Sequence, residues 1–138
     1  MEFIENKLTY EEYVALRHSV SWEIYSEEQV RKSIGNSLYV VTATENNQTI
    51  AMGRLVGDGM YYMIVDVIVE PKHQSRGIGS QIIDKLIHYV EKEIPDGGRA
   101  SIQLIAEKGK EEFYIKKGFK VIPHEFCGSG MRKVIRKH

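Results

Sequence analysis

The chain has 138 residues, of which 42% are hydrophobic and 28% charged, so we expect a single domain, residues 1–138, around one continuous core. Lys plus Arg and Asp plus Glu number 19 each, and this balance argues against a nucleic acid or an anionic membrane as partner. The lone Cys127 cannot form an intramolecular disulfide. No apolar run is long enough to span a bilayer, and the amino terminus does not read as a signal peptide, so we expect a cytoplasmic location.

The first third of the chain predicts a short strand followed by two capped helices. Glu2–Leu8 is typical of a strand. Two capping boxes, in each of which a hydroxyl precedes a carboxyl or amide by three residues, begin at Thr9 and Ser26. They predict one helix running toward His18 and another that ends near Gly35.

The middle of the chain changes to strand-like patterns. Leu38–Thr44 and Thr49–Val56 are rich in β-branched residues, and the turn-forming residues Glu45–Gln48 separate them. This pattern predicts a hairpin with a four-residue connection. Met60–Glu70 follows as a long strand whose apolar second half is interrupted only by Asp66, which indicates a central strand covered on both faces.

The last part of the chain predicts two helices and three strands. Apolar residues at helical spacing predict a helix from Ile78 to Val90, and a second helix is expected over Lys108–Lys117. The predicted strands are Ala100–Ala106, Phe119–Ile122 and Met131–Ile135. The element order indicates a mixed α+β sheet with helices on both faces, and its crossover helices require some parallel pairing.

One stretch combines the features of an anion site. A buried strand ends at Glu70, a polar loop follows, and Gly77 and Gly79 lie where a helix begins. The first N–H groups of a helix have no internal partner, and the helix dipole adds partial positive charge at the same place. Glycines let a bulky anion approach the backbone, and Arg76 adds a full charge with a fork of donors. The stretch therefore suits a phosphate or a pyrophosphate.

Two common phosphate motifs do not match this stretch. The P-loop pattern Gly-x-x-x-x-Gly-Lys-Ser/Thr is absent. The dinucleotide fingerprint needs a third glycine where Ile82 stands, and an acidic residue after the next strand, which ends in Leu104–Ala106. A Gly-x-Gly at a helix start is more often a tight turn without a ligand, so the glycines alone do not establish a site.

A family resemblance is more specific. The segment Gln74–Gly79, of the form Gln-x-x-Gly-x-Gly, follows the strand end Val67–Pro71 and resembles motif A of the GNAT superfamily of acetyl-CoA-dependent N-acetyltransferases. Phe113–Phe119 resembles motif B, in which an aromatic–Tyr pair ends a helix and Gly-Phe starts a strand. The resemblance covers about Leu38–Phe119, with one departure at Glu107, where Asn is common. It implies a mostly antiparallel sheet of six to seven strands with a splayed parallel pair, flanked by about four helices.

The resemblance also implies a binding mode for acetyl-CoA as cosubstrate, without a metal. Backbone amides of the loop and helix start would hold the pyrophosphate. Val67–Val69 would splay from Ala100–Leu104, with pantetheine in the gap, and an N–H near Ile68 or Val69 would face the thioester oxygen. The implied coenzyme-binding residues are Val67, Ile68, Val69, Gln74, Ser75, Arg76, Gly77, Ile78, Gly79, Ser80 and Tyr114.

Catalysis needs a proton donor and a proton acceptor. By the resemblance, Tyr114 would lie near the sulfur and protonate the departing thiolate. Asp66 is the candidate base that would neutralise the attacking amine. The alternative for a carboxylate within an apolar run is a structural ion pair or a bond to backbone. Glu70 and His73 are other candidate bases near the strand end.

Trp22, Tyr25 and Tyr61 are candidate residues of an acceptor pocket, because the region between the first two helices often covers this pocket in GNAT proteins; core packing is the alternative. We expect acetylation of a small-molecule primary amine by direct attack on the thioester. Acetylation of a protein or peptide, and a regulatory protein that binds acetyl-CoA without catalysis, remain alternatives. The family also suggests a homodimer, with contact through the last strand.

Overall fold

The computed structural model describes all residues from Met1 to His138 and contains five strands and four α-helices. The strands are β1 (Glu2–Glu5), β2 (Tyr39–Glu45), β3 (Gln48–Gly57), β4 (Tyr61–Val69) and β5 (Ser101–Gln103). The helices are α1 (Tyr10–Ser19), α2 (Glu27–Gly35), α3 (Ile78–Glu93) and α4 (Glu111–Ile115). The chain divides into two compact units, Met1–Leu104 and Ile105–His138. None of its helices is both long and apolar enough to cross a membrane.

The first two helices are capped by side chains, as the sequence predicts. The Thr9 hydroxyl accepts from the Glu12 N–H at 3.1 Å, and the Glu12 carboxylate accepts from the Thr9 N–H at 2.8 Å. The Ser26 hydroxyl accepts from the Gln29 N–H at 3.3 Å. Each bond satisfies a donor that the helix itself leaves unpaired, so both helix starts are confirmed.

The hairpin between β2 and β3 is tighter than predicted. Glu45 pairs with Gln48, and only Asn46 and Asn47 form the turn, with φ values of 52° and 61°. Two consecutive left-handed residues are typical of a two-residue turn whose twist matches the strands, and Asn tolerates this conformation. The predicted four-residue connection is therefore wrong.

The five strands form a single sheet in the order β1-β2-β3-β4-β5. The first three pairings are antiparallel and the pairing of β4 with β5 is parallel, so the sheet is mixed and mostly antiparallel, as expected. The expected six to seven strands are not found, because Phe119–Ile122 and Met131–Ile135 have no partner strand. A β-branched sequence becomes a strand only where a neighbouring backbone pairs with it.

Helices cover both faces of the sheet, as predicted. One face carries α1 and α2, whose buried side chains pack with strand residues in a cluster. The cluster consists of Tyr13, Leu16, Val30, Met52 and Ile68. Gly53 points to the opposite face, where a Cβ would lie 2.5 Å from Ile82 of α3. The missing side chain lets α3 approach the sheet closely.

Three predicted elements are shorter than expected. The strand predicted over Glu2–Leu8 ends at Glu5, before Asn6 with its left-handed φ of 56°. The strand predicted over Ala100–Ala106 is reduced to the three residues of β5. The helix predicted over Lys108–Lys117 is reduced to α4, because Gly109 adopts a left-handed φ of 95° just inside the predicted helix start.

Candidate active site

The amino end of α3 differs from those of α1 and α2. Thr9 and Ser26 cap the first two helices, whereas α3 begins after Gly77, which has a φ of 81° and makes no side-chain cap bond. The backbone N–H groups of residues 75–77 donate to no group of the chain. The N–H groups of the first helical turn, residues 78–80, have no intrahelical partner. The loop and the helix start therefore present consecutive unpaired donors.

Local contacts hold this loop in place. After β4, Pro71–His73 form a 3-10 turn, and the Gln74 side-chain N–H donates to the Val69 carbonyl at 2.9 Å. Ser75 adopts a left-handed φ of 65°. Ile78 is buried in the core and anchors the helix start. The side chains of Gln74 and Ile78 thus serve the loop itself. The Gln74 N–H donates to the Pro71 carbonyl at 3.2 Å, so the N–H groups left for a ligand begin at Ser75.

The two parallel strands splay. β4 and β5 pair only from Tyr61 with Ser101 to Met63 with Gln103. The rest of β4, Ile64–Val69, has no strand partner on this side. The three strand residues expected to bind pantetheine lie on this unpaired stretch.

β4 contains a bulge beside the splay. Met52 pairs with Ile68 and Arg54 with Val65, so Gly53 faces two residues, Asp66 and Val67. Asp66 has a left-handed φ of 55°, a conformation that costs a residue other than glycine roughly 1–2 kcal/mol. The cost must be offset by contacts of the side chain.

Asp66 receives three charged or polar donors. Its Oδ1 accepts from Arg17 Nη1 at 2.8 Å, and its Oδ2 accepts from the Tyr13 hydroxyl at 2.8 Å and from Arg54 Nε at 3.0 Å. Its side chain and those of both arginines are each only 9% exposed. Burial and the charge of Asp66 raise the pKa of the Tyr13 phenol to about 12. Of the two interpretations, the ion pairs support the structural one.

Two of the three candidate acceptor residues lie beside this cluster. The Arg17 guanidinium lies 5.4 Å from the ring centre of Trp22 and 5.3 Å from that of Tyr25, and its Nε donates to the Glu23 carbonyl at 2.8 Å. Arg17 therefore ties the segment between α1 and α2 to the bulge. Tyr61 is 63% exposed at the other end of β4, roughly 15 Å along the strand from the bulge.

Arg76 is engaged within the chain. Its Nη1 donates to Glu45 Oε2 at 2.8 Å and its Nη2 to Glu45 Oε1 at 3.3 Å. Its Nη1 also donates to His73 Nδ1 at 2.8 Å, because a guanidinium can only donate. The hydrogen bond from Arg76 lowers the pKa of the Glu45 carboxyl. Glu45 carries no sequence signal for this role, since it lies in a turn pattern 31 residues before Arg76.

Tyr114 lies in the second compact unit, at the end of α4. Its half-buried ring meets Phe113 and Phe119 edge-on, with ring centres 5.0 and 6.0 Å away. Burial, and to a smaller extent the charge of Glu107, raise the pKa of the phenol. The Tyr114 hydroxyl therefore keeps its proton at neutral pH, as a proton donor requires.

Comparison with known families identifies the family of the chain. Residues 6–135 match the family model described as the acetyltransferase (GNAT) domain. The chain belongs to the GNAT acetyltransferase family, whose members use acetyl-CoA.

Relatives are found among plant proteins and solved bacterial structures. A Glycine max protein named "Histone acetyltransferase TAP1" is 30% identical over 110 residues, 78% of this chain and 43% of the relative. "Serotonin N-acetyltransferase 2, chloroplastic" of Oryza sativa subsp. japonica is 29% identical over 107 residues, 74% of this chain and 52% of the relative. The chain thus spans about half the length of these relatives. A Staphylococcus aureus structure named "Probable Acetyltransferase" is 28% identical, with a TM-score of 0.84, covering 96% of this chain and 98% of that one.

Proposed function

We propose that the chain transfers the acetyl group of acetyl-CoA to the primary amine of a small molecule by direct attack on the thioester. The observation that carries this proposal is the uncapped amino end of α3, preceded by the unpaired N–H groups of residues 75–77. The helices α1 and α2 are capped by hydroxyls. The helix α4 also lacks a side-chain cap, but the N–H groups of Gly109 and Lys110 before it are hydrogen-bonded, unlike those before α3. A pyrophosphate supplies the acceptors that these donors lack.

The unpaired stretch of β4 provides the second half of the coenzyme site. Amides of pantetheine would bond to the backbone of Val67–Val69, where β5 no longer pairs. A backbone N–H of Ile68 or Val69 would then face the thioester oxygen. As the amine nitrogen bonds to the carbonyl carbon, negative charge grows on this oxygen, and a fixed N–H donor stabilises it.

The leaving group needs a proton. When the carbon–sulfur bond breaks, the Tyr114 hydroxyl gives its proton to the thiolate, and the phenolate is then reprotonated from solvent. We expect Tyr114→Phe to lower kcat about 100-fold and to leave the Kd for acetyl-CoA within about twofold, because only the reacting hydroxyl is removed. Stopped-flow assays of thiol release and calorimetry measure the two effects. An unchanged kcat would remove Tyr114 from the mechanism.

Asp66 is assigned a structural role rather than that of the base. All three donors around it are used to hold the carboxylate at the bulge, and this supports the ion-pair interpretation left open by the sequence. The amine would lose its proton to a chain of waters or to a residue near the strand end, such as Glu70. The acceptor would lie near Trp22 and Tyr25, whose rings pack on Arg17.

One assay separates the candidate functions. The protein is incubated with acetyl-CoA and a panel of small amines, amino acids, and peptides with free amino termini or lysines, and thiol release is followed. Turnover of a small amine supports the proposal. Turnover confined to peptides would favour a protein acetyltransferase, a reading that the name of the Glycine max relative also favours. Coenzyme binding without turnover of any acceptor would favour the regulatory alternative.

The location and the oligomeric state stay predictions. One relative is named chloroplastic, so fractionation of cells is needed to test a cytoplasmic location. A homodimer would be tested by sedimentation. The last strand, expected to form its contact, is not formed in the structure.

A further inference from the structure

We propose that Glu45 sets the affinity of the loop for acetyl-CoA, by holding Arg76 in an ion pair that must open before Arg76 can bind the pyrophosphate. This inference rests on the proposed function, since it concerns the same phosphate site. It assigns a role to a residue of the β2–β3 hairpin that lies outside the loop and outside α3.

The geometry places Arg76 between two possible partners. Its backbone immediately precedes Gly77, from which α3 starts, and so belongs to the row of unpaired N–H groups. Its side chain turns away to the last residue of β2, where both terminal nitrogens contact the two oxygens of Glu45, at 2.8 and 3.3 Å. The guanidinium fork that suits a phosphate is therefore occupied by a carboxylate.

The pair is open to exchange. The Arg76 side chain is 42% exposed and the Glu45 side chain 28% exposed. Exposed ion pairs contribute little, because water competes for both charges and salt screens them. A pyrophosphate carries more negative charge than one carboxylate and binds a guanidinium through parallel bonds, so it can displace Glu45.

Other charged groups beside the loop affect the competition between Glu45 and a pyrophosphate for Arg76. A second carboxylate, Glu70, also borders the loop, and its Oε1 lies 3.3 Å from Lys72 Nζ. His73 accepts from Arg76 and lies 3.5 Å from Glu45. Arg76 and Lys72 at this rim thus each have a carboxylate partner. An incoming pyrophosphate must draw Arg76 from Glu45, and it then lies near a Glu45 carboxylate that has lost its partner.

Calorimetric titration with acetyl-CoA at low, fixed salt tests the role of Glu45. Glu45→Gln keeps the size and hydrogen-bonding capacity of the side chain and removes its charge. We expect it to lower the Kd about two- to fivefold, the range of an exposed ion pair. The matched control is Glu27→Gln, which opens the exposed pair between Glu27 and Arg31 on α2 and should leave the Kd unchanged.

The same substitution made in an Arg76→Ala protein distinguishes movement of Arg76 to the phosphate from simple repulsion between Glu45 and the phosphate. If Arg76 moves to the phosphate, Glu45→Gln improves binding more with Arg76 present than in an Arg76→Ala protein. If Arg76 stays on Glu45 and only screens it, the improvement is larger in the Arg76→Ala protein, where the carboxylate is bare. The second result would overturn the proposal. So would an unchanged or raised Kd for Glu45→Gln alone, which would mean that Glu45 merely supports the loop.

Two shortened ligands identify which phosphate group of the coenzyme Arg76 contacts. With 3′-dephospho-CoA, which keeps the pyrophosphate, the effect of Glu45→Gln should persist. With S-acetylpantetheine, which has no phosphate, the apparent KM of the two proteins should be equal. Loss of the effect with dephospho-CoA would place Arg76 at the 3′-phosphate and overturn the assignment to the pyrophosphate. Failure of the unaltered protein to bind acetyl-CoA would overturn the proposed function itself, a result distinct from binding that Glu45→Gln leaves unchanged.

Discussion

The protein contains two arginine–carboxylate sites with the same shortest distance and opposite surroundings. At the bulge of β4, Arg17 lies 2.8 Å from Asp66, and both side chains are 9% exposed. At the loop before α3, Arg76 Nη1 lies 2.8 Å from Glu45 Oε2, with side-chain exposures of 42% and 28%. Distance alone does not separate the two pairs. Burial does, because charges without access to water must keep their partners.

The difference separates a fixed part of the candidate site from an adjustable part. Asp66, on β4, accepts hydrogen bonds from two residues of α1 and one of β3. These bonds hold its left-handed backbone in place, beside the strand edge that would face the thioester. The contact of Arg76 with Glu45 joins a loop to a hairpin and can open without leaving a buried charge. Four changes test this contrast, from the largest expected effect to the smallest.

Removal of the buried carboxylate should have the largest effect. Asp66→Ala leaves two guanidiniums without their partner, and we expect a loss of about 3–5 kcal/mol in the free energy of unfolding. Asp66→Asn is the matched control, because Asn tolerates the left-handed backbone and still accepts hydrogen bonds; its loss should be smaller. Urea titration followed by circular dichroism measures both. Equal stability of Asp66→Ala and the parent protein would contradict the contrast.

Gly53, which faces the bulge from β3, should also tolerate substitution poorly. In Gly53→Ala, the new Cβ would meet Ile82 at 2.5 Å and Leu86 at 3.2 Å. Ile82 is β-branched and fully buried, so it cannot turn away easily, and we expect a loss of about 1–3 kcal/mol. Gly35→Ala is the control, since its Cβ would have no neighbour within 4 Å. Equal unfolding midpoints for the two variants would argue against close packing of α3 at this point.

The Tyr13 phenol should make the stability of the buried site depend on pH. Its pKa is about 12 in the folded protein, against an ordinary value of 10. The unfolded chain therefore loses the proton first, so the stabilisation is present below pH 10 and is lost as pH rises toward 12. We expect the ionisation of Tyr13 to lower the free energy of unfolding by about 1–2 kcal/mol over this pH range. Tyr13→Phe should show a correspondingly flatter decline, and parallel curves for the two proteins between pH 10 and 12 would refute the assignment.

The exposed pair should contribute least to stability. We expect Glu45→Gln to shift the thermal midpoint by no more than about 2 °C, and the shift should vanish in high salt. Differential scanning calorimetry at two salt concentrations measures it. A shift as large as that of Asp66→Ala would show that the loop pair is as fixed as the buried one, and the exchange proposed for Arg76 could not occur.

Several features of the fold follow from local sequence. Thr9 and Ser26 are followed three residues later by partners that form the caps, and the spacing of apolar residues after Ile78 is that of one buried helix face. The apolar run in the second half of β4 predicts a long strand, and Gly77 and Gly79 mark the start of α3. These features depend on contacts within a few residues, so the sequence carries them directly.

Other features depend on contacts between distant segments. The partners of Asp66 lie 53, 49 and 12 residues away, and Glu45 lies 31 residues from Arg76. The strand count was overestimated because Phe119–Ile122 and Met131–Ile135 have strand-like sequences but no partner strand. The sequence by itself determined the capped helices, the long strand β4 and the start of α3. It did not determine the place of β4 in the sheet, where residues Ile64–Val69 have no strand partner on one side. Only the tertiary structure decided which carboxylate is buried and which is exchangeable, because the desolvation of a charge depends on everything packed around it.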